Sequence, residues 1–485
     1  MQRLERAAPL AFLLAVAAWY TWVNLGRLAH YEPIEWDLAI FGQGVWLLSR
    51  GETPFVTVRG LNLLGEHATF VHLPIAAAYR LLGPLADARF LVLTQSAALA
   101  WAGFLLHARA RREVGNGAAL LVLAAYLLYP PLVYTWGEFY QPLALALGPL
   151  VLAFEAVREG RERRAILWSL LALSCMENVA ATTAALGLYA LALGRRRLGV
   201  TLFVGSAVYV AWLLRLWFPW LNQGTGYAYA DRLYGDFASS LPEAIVHLAH
   251  PLRLLERLAT GQNAEYLLGL FLPVAFLPLG APAALAAAAQ LPLNLVSSWP
   301  YAHQIRHHYV VLVVPFVFLS LVACLARSPR GSRARRLACG ALLVGVAAGQ
   351  MLYAPAWLAS RGDPQRRREV EALLRRIPRG LPLSAHYAFL PRLCERRRLF
   401  KFPELGGAAV AVVDASVARH IPAEAAGLRA LEAAGFREAL RTSGDVVLYV
   451  SGNATWLDAT TPLLPEEPSK APPPAMPPAP PPPSR

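Results

Sequence analysis

The sequence predicts a mainly α, polytopic bundle of transmembrane helices with a small α/β domain near its C-terminus. Three observations predict it. Of 485 residues, 56% are hydrophobic and 16% charged, where a soluble protein carries roughly a quarter charged. The apolar residues gather in blocks of roughly 17–25, the length that crosses ~30 Å of hydrocarbon. Basic residues cluster between the blocks, as they do in cytoplasmic loops. This composition excludes a disordered chain, a nucleic-acid-binding protein and a plain cytosolic enzyme. The net charge of +14 would suggest nucleic acid in a soluble protein. Here it reads as topology, and the expected partner is the bilayer rather than nucleic acid.

The first block runs over about 8–28, behind Arg3 and Arg6. It reads as an uncleaved first span with a cytoplasmic N-terminus. Later basic clusters lie at Arg109 to Arg112, Arg158 to Arg164, Arg195 to Arg197 and Arg327 to Arg336. If all are cytoplasmic, an even number of spans separates each neighbouring pair. The blocks 8–28 and 88–108 satisfy this, provided that 68–84 is not a span. That block is short and contains His72, Pro74 and Arg80, so it reads as a re-entrant or interfacial helix. Residues 29–87 then form one long outer loop, with six acids against three arginines.

Further spans are expected at 117–134 and 142–157, joined by an outer turn. A tight hairpin over 165–194 turns at Cys175-Met176-Glu177-Asn178. Then come spans at 198–218, 266–281, 283–298, 310–326 and 337–357. The total is about 11, with the N-terminus inside and the C-terminus outside, and residues 1–360 form the membrane module. Residues 365–455 alternate charged helical stretches with β-like runs at 399–402, 408–413 and 446–450. They read as a small α/β domain on the outer face. From 461 to 485 the chain is dominated by proline, which predicts a disordered tail. The four cysteines, Cys175, Cys324, Cys339 and Cys394, show neither metal-ligand nor disulfide spacing.

An ionisable group near membrane depth is costly and usually marks a function. In this topology the unusual polar groups share the outer side. Asp37 and Glu35 follow the first span, and Glu66, His67 and His72 surround the re-entrant block. Glu138 sits in the second outer turn and Glu177 in the hairpin turn. Arg306, His307, His308 and Tyr309 sit in a late outer turn. Each has a plain alternative, as a loop carboxylate, a helix N-terminal acid or a headgroup anchor. Glu177 is the hardest to explain that way, because apolar runs flank it. Trp136, Trp217, Trp220, Tyr227 and Tyr229 read as an aromatic belt. Asn453-Ala454-Thr455 has the spacing of a glycosylation acceptor.

Carboxylates with His and Arg at a membrane surface suit group transfer from a lipid-phosphate donor. Phosphate leaves readily, so such an enzyme needs a cation to hold it and a carboxylate to take the acceptor proton. Acid clusters can also hold a divalent ion through oxygen ligands, which leaves metal dependence open.

Several motifs occur in order: Trp36-Asp37-Leu38-Ala39-Ile40-Phe41-Gly42-Gln43, Gly65-Glu66-His67, Tyr140-Gln141-Pro142, Met176-Glu177-Asn178 and His308-Tyr309. Together they resemble a prokaryotic family of membrane proteins, domain of unknown function 2079, over about 10–450. That family resembles the GT-C membrane glycosyltransferases, which include the protein O-mannosyltransferases and the aminoarabinose transferases of lipid A. The resemblance implies a GT-C-like fold in the cell membrane and transfer of a sugar from a polyprenyl-phosphate donor to an outer-face acceptor. It implies Asp37 as base or metal ligand, with Glu66, Glu138 and Glu177 as supporting acids. His67, Arg306, His308 and Tyr309 would bind substrate. Three places depart from the family pattern. Gly42 stands where a second Asp is common, Gln141 where His is usual, and Met176 and Asn178 replace the Lys and Asp around Glu177. The alternatives are a transporter or flippase for a lipid-linked substrate, and a non-catalytic membrane scaffold.

Overall fold

The computed structural model describes residues 2–32, 36–83, 87–235, 243, 246–247, 250–452 and 457, excepting the side chains of 2–6, 230 and 231. Glu35, the Asn453 to Thr455 triplet and the proline-rich tail lie outside the described residues.

Helix α1 (Gln2–Ala29) contains the first span, Ala7–Ala29. Helix α2 (Asp37–Ser49) follows, then a two-stranded ribbon of β1 (Phe55–Val56) and β2 (Leu61–Asn62), then α3 (Leu63–Glu66). Helix α4 (His72–Leu82) has 11 residues, about 16 Å, too short to cross a bilayer. Helix α5 (Ala88–Val114) has 27 residues, about 40 Å. Next come α6 (Asn116–Leu127) and α7 (Pro130–Gly137), which bend by 47° where Pro130 opens α7. Helices α8 (Leu147–Glu159), α9 (Glu162–Leu173) and α10 (Val179–Ala192) follow. Helix α11 (Arg196–Trp212) continues through a π-helical turn to Leu221.

Among the described residues, four helices are long and apolar enough to cross a membrane: Ala7–Ala29, Ala88–Val114, Arg196–Leu221 and Arg333–Tyr353. The bent α6–α7 pair makes five. The expected count of eleven is therefore not reached by length and composition. The physical reason is clearest over 266–298, where two spans were expected. Pro273, Pro278, Pro282 and Pro292 interrupt that stretch, and Ala275 and Phe276 are left-handed. Proline removes a backbone donor and clashes with the preceding turn. The result is a helix at Gly261–Phe271, several 3₁₀ turns and a short helix at Gln290–Val296.

The basic clusters do gather, at the C-terminal end of α5. Arg109 pairs with Glu113 at 3.0 Å and with Glu155 of α8. Arg158 lies 3.4 Å from Glu113, and Arg195 donates to the Arg158 carbonyl. Arg330 and Arg335 donate to the carbonyls of Arg112 and Val114, each at 3.2 Å. Four clusters distant in sequence thus meet, as an even number of crossings between them requires.

The opposite end of α5 packs elsewhere. Ala88, Leu91 and Val92 share a core with α2, α4, Phe139, Tyr140 and a C-terminal sheet. The sheet comprises β3 (Leu383–Ala385), β4 (Leu399–Lys401), β5 (Val410–Asp414), β6 (Phe436–Arg441) and β7 (Val446–Ser451). Its order is β4-β3-β5-β7-β6, with β3 parallel to β4 and β5 and the other pairings antiparallel. The three expected runs are β4, β5 and β7. Gln43, buried in α2, joins the sheet to the bundle. Its Nε2 donates to the Arg396 carbonyl and to Thr57 Oγ1, each at 2.9 Å. Thr57 Oγ1 in turn donates to the Leu399 carbonyl at 2.7 Å.

Candidate functional site

At the sheet-side end of the bundle lies a cavity of about 400 Å³. Asp37, Glu66, His67, Glu177, His308 and Tyr309 all line it. Six of the eight residues given catalytic or substrate-binding roles above therefore converge, although they run from Asp37 to Tyr309 in the sequence. Glu138 and Arg306 are not on its wall.

Each acid has its own setting. Asp37 is the first residue of α2, where the helix dipole favours a negative charge. Gln141 Nε2 donates to Asp37 Oδ2 at 2.8 Å. Gln141, where the resemblance implies a His, thus supplies an amide that orients the carboxylate. Gly42, one turn further on, is packed tightly. A Cβ there would lie 2.6 Å from the Cys394 sulfur, so the second Asp of the family pattern has no room.

Glu177 sits between α9 and α10 and reaches across to the loop after α3. Its Oε1 lies 2.8 Å from His67 Nδ1 and accepts from the Tyr227 hydroxyl at 2.7 Å. Its Oε2 accepts from the Ala68 amide at 2.9 Å. Burial alone would raise the Glu177 carboxyl, but His67 and Tyr227 outweigh it and hold it below the usual carboxylate range. Burial opposes the charge on His67, yet Glu177 overcomes it and raises the imidazole. Each shift favours the charged form of its group.

Glu66 accepts from Arg59 Nε at 2.6 Å and from the Tyr229 hydroxyl at 2.5 Å. The Tyr229 ring stacks on His67, 4.7 Å between centroids. This arrangement needs the 219–229 segment close to α3. Gly65 permits it, because a Cβ there would meet Asn222 Oδ1 at 2.4 Å. Asn222 Nδ2 donates to the Gly65 carbonyl at 2.8 Å.

Glu138 stands behind the wall. It accepts from the His308 amide at 2.9 Å, faces His308 Nδ1 at 3.0 Å and lies 3.7 Å from His307 Nδ1. Burial pushes its carboxyl up, but His308 and His307 prevail and hold it low. It orients two histidines that do line the cavity. His72 is buried beneath, bonded to Thr69 Oγ1 and the Tyr140 hydroxyl at 2.9 and 3.0 Å. Burial pushes it down to about 3, so it is a neutral packing residue. Arg306 is exposed, with its guanidinium 6.0 Å from the Tyr134 ring.

Several wall residues escaped the sequence reading. Arg59 counted only as a loop charge, and Arg232 carried no motif. Arg232 lies over the Trp299 ring at 3.7 Å. Tyr227 and Tyr229 were expected in an aromatic belt but hydrogen-bond the two acids instead. Trp136, also expected there, is fully buried and donates to Ser96 Oγ at 3.0 Å. Trp36 lines the cavity, and Lys401 of β4 lies 4.5 Å from its ring centroid. Among the described residues, no group of three or more His, Cys, Asp or Glu side chains is placed to hold a metal ion.

The fold and the cavity define a polytopic membrane protein with acids, imidazoles and guanidinia focused at one bundle end. The chain belongs to the family of predicted membrane proteins DUF2079, whose model matches residues 34–409. Its fold is shared with ArnT from Cupriavidus metallidurans. The ArnT structure bound to undecaprenyl phosphate superposes with a TM-score of 0.56 at 14% identity, covering 92% of this chain and 98% of that one. The apo ArnT structure gives 0.51 at 14% identity, covering 91% and 98%. No curated protein matches the chain.

Proposed function

We propose that the protein is a glycosyltransferase of the cell membrane that moves a sugar from a polyprenyl-phosphate donor to an outer-face acceptor. The observation that carries this reading is the shared cavity. Asp37 stands on its wall together with Arg59, His67, Arg232, His307 and His308. One carboxylate base facing several cations is the inventory that displacement of a lipid phosphate requires.

In the proposed step the acceptor oxygen attacks the anomeric carbon and the bond from that carbon to the phosphate oxygen breaks. Asp37 takes the acceptor proton, and the lipid phosphate leaves with the electron pair. An inverting displacement of this kind needs one base and an open face for attack. The cations stabilise the charge gathering on the phosphate, where preorganised groups act most strongly. Glu66 and Glu177 keep Arg59 and His67 charged and fixed. Glu138 holds the two histidines in place from behind. The undecaprenyl phosphate bound in ArnT supports a lipid-phosphate ligand for a fold of this kind. The basic clusters at the far end of α5 support a cytoplasmic N-terminus and an outward-facing cavity.

The reading is tested by profiling lipid-linked sugars and surface glycans in cells with and without the gene. Loss of one glycan with build-up of its lipid-linked precursor is expected. Identical profiles would contradict it.

A further inference from the structure

A second polar concavity lies on the other side of α2, outside the cavity described above. It has two adjoining lobes of about 710 and 310 Å³ that share Trp46, Arg50, Arg379 and Glu395. Five arginines line it: Arg50 after α2, Arg80 in α4, Arg89 in α5, and Arg379 and Arg397 from the C-terminal domain. The only acids on its walls, among the described residues, are Asp87 and Glu395.

Pairing accounts for part of this charge. Asp87 holds Arg89 at 2.8 Å. Glu52, beside the lobes, holds Arg50 at 3.0 Å and Arg397 at 2.7 Å. Glu395 accepts from the Tyr79 hydroxyl at 2.6 Å and lies 3.7 Å from Arg379, which is 87% exposed. Arg80 has no carboxylate within ion-pair distance among the described residues. The excess is positive, concave and contributed by four separate segments.

Its surroundings are apolar. Leu73, Leu81 and Leu82 of the same short helix α4 are exposed, Leu81 at 88%. A short helix whose exposed leucines flank an arginine at the rim of a basic pocket lies naturally in the plane of the headgroups. Anionic headgroups at that level attract nearby arginines, and guanidinia suit phosphate oxygens in a planar fork. A soluble anion would not explain the exposed leucines.

We propose that this concavity binds the phosphate headgroup of an anionic membrane lipid, with the acyl chains against the leucines of α4. The site pins the C-terminal domain to the bilayer surface. The inference does not depend on the reaction proposed above.

The test uses the full-length protein in detergent micelles doped with phosphatidylglycerol or phosphatidylcholine, read by thermal unfolding and by lipid binding in native mass spectrometry. Phosphatidylglycerol should bind and raise the unfolding midpoint, while phosphatidylcholine should not. Arg80→Gln and Arg379→Gln should each weaken binding by about fivefold without altering the midpoint in undoped micelles. Both side chains are exposed and outside the catalytic cavity. Inorganic phosphate at equal concentration should shift the midpoint less than the lipid. Equal binding by wild type and both variants would overturn the site. An equal shift by free phosphate would overturn the lipid as its occupant.

Discussion

Glu177 and His67, 110 residues apart, meet at 2.8 Å and form an ion pair between the α9–α10 turn and the loop after α3. The pair closes one wall of the cavity, and Tyr227 and the Ala68 amide complete the carboxylate's partners. Glu177→Gln should leave His67 without its counter-charge. Breaking a buried pair on one side is costly. With both groups slightly exposed, a loss of about 2–3 kcal/mol is expected, measured as a lower unfolding midpoint in micelles.

The same pair sets a pH window. The raised His67 contributes stability that is full below about 6.5, its unfolded value, and is lost as pH rises through the higher folded value. The lowered Glu177 and Glu138 contribute stability present above about 4.5, lost as pH falls through their lower folded values. Buried neutral His72 works in the opposite sense, its contribution present above about 6.5 and lost as pH falls toward about 3, so the unfolding midpoint should be highest near 6.5 and decline on both sides. In His67→Gln the alkaline decline should shrink. An unchanged alkaline limb in that variant would remove His67 from the account.

Gly42→Asp introduces the acid that the resemblance implies at this place but drives a Cβ to within 2.6 Å of the Cys394 sulfur. Overpacking of this kind costs about 1–3 kcal/mol. Cys394→Ala in the same chain should recover part of the loss, which a double-mutant cycle would read. Additive effects of the two changes would contradict the packing explanation.

Gln43→Ala removes two donated hydrogen bonds, to Arg396 and Thr57, and one accepted from the Val58 amide. At about 1 kcal/mol each, the fold should lose about 3 kcal/mol, of which the bond to Arg396, about 1 kcal/mol, ties the C-terminal domain directly to the bundle. Limited proteolysis should then cut between 355 and 382 sooner than in wild type.

How far the sequence foretold this structure depends on which interactions are local. Arginine clusters report topology because their charge acts wherever they sit, and the four expected to share a side do meet at Arg109, Arg158, Arg195 and Arg335. Apolar runs report burial but not helix continuity, which is why the proline-punctuated 266–298 stretch misled the span count. Acids stood out because they are scarce. Their partners did not, because Arg59, Tyr227 and Tyr229 have ordinary alternative uses in loops and belts. A pairing across 110 or 163 residues, as for Glu177 with His67 or Tyr229 with Glu66, leaves no local trace. One signal was available: an aromatic pair two residues apart, Tyr227 and Tyr229, in a segment otherwise poor in apolar residues.

In the proposed sugar transfer Asp37 is the base. That role is tested by expressing Asp37→Asn in cells lacking the gene and measuring the glycan and lipid-linked precursor there. Asparagine preserves the size of the side chain and the hydrogen-bonding reach of its oxygen to Gln141, so the variant should fold with a wild-type unfolding midpoint. Transfer should fall by 10²-fold or more, the scale of a lost general base, and the precursor should persist. Full restoration of the glycan by Asp37→Asn would rule out Asp37 as the base.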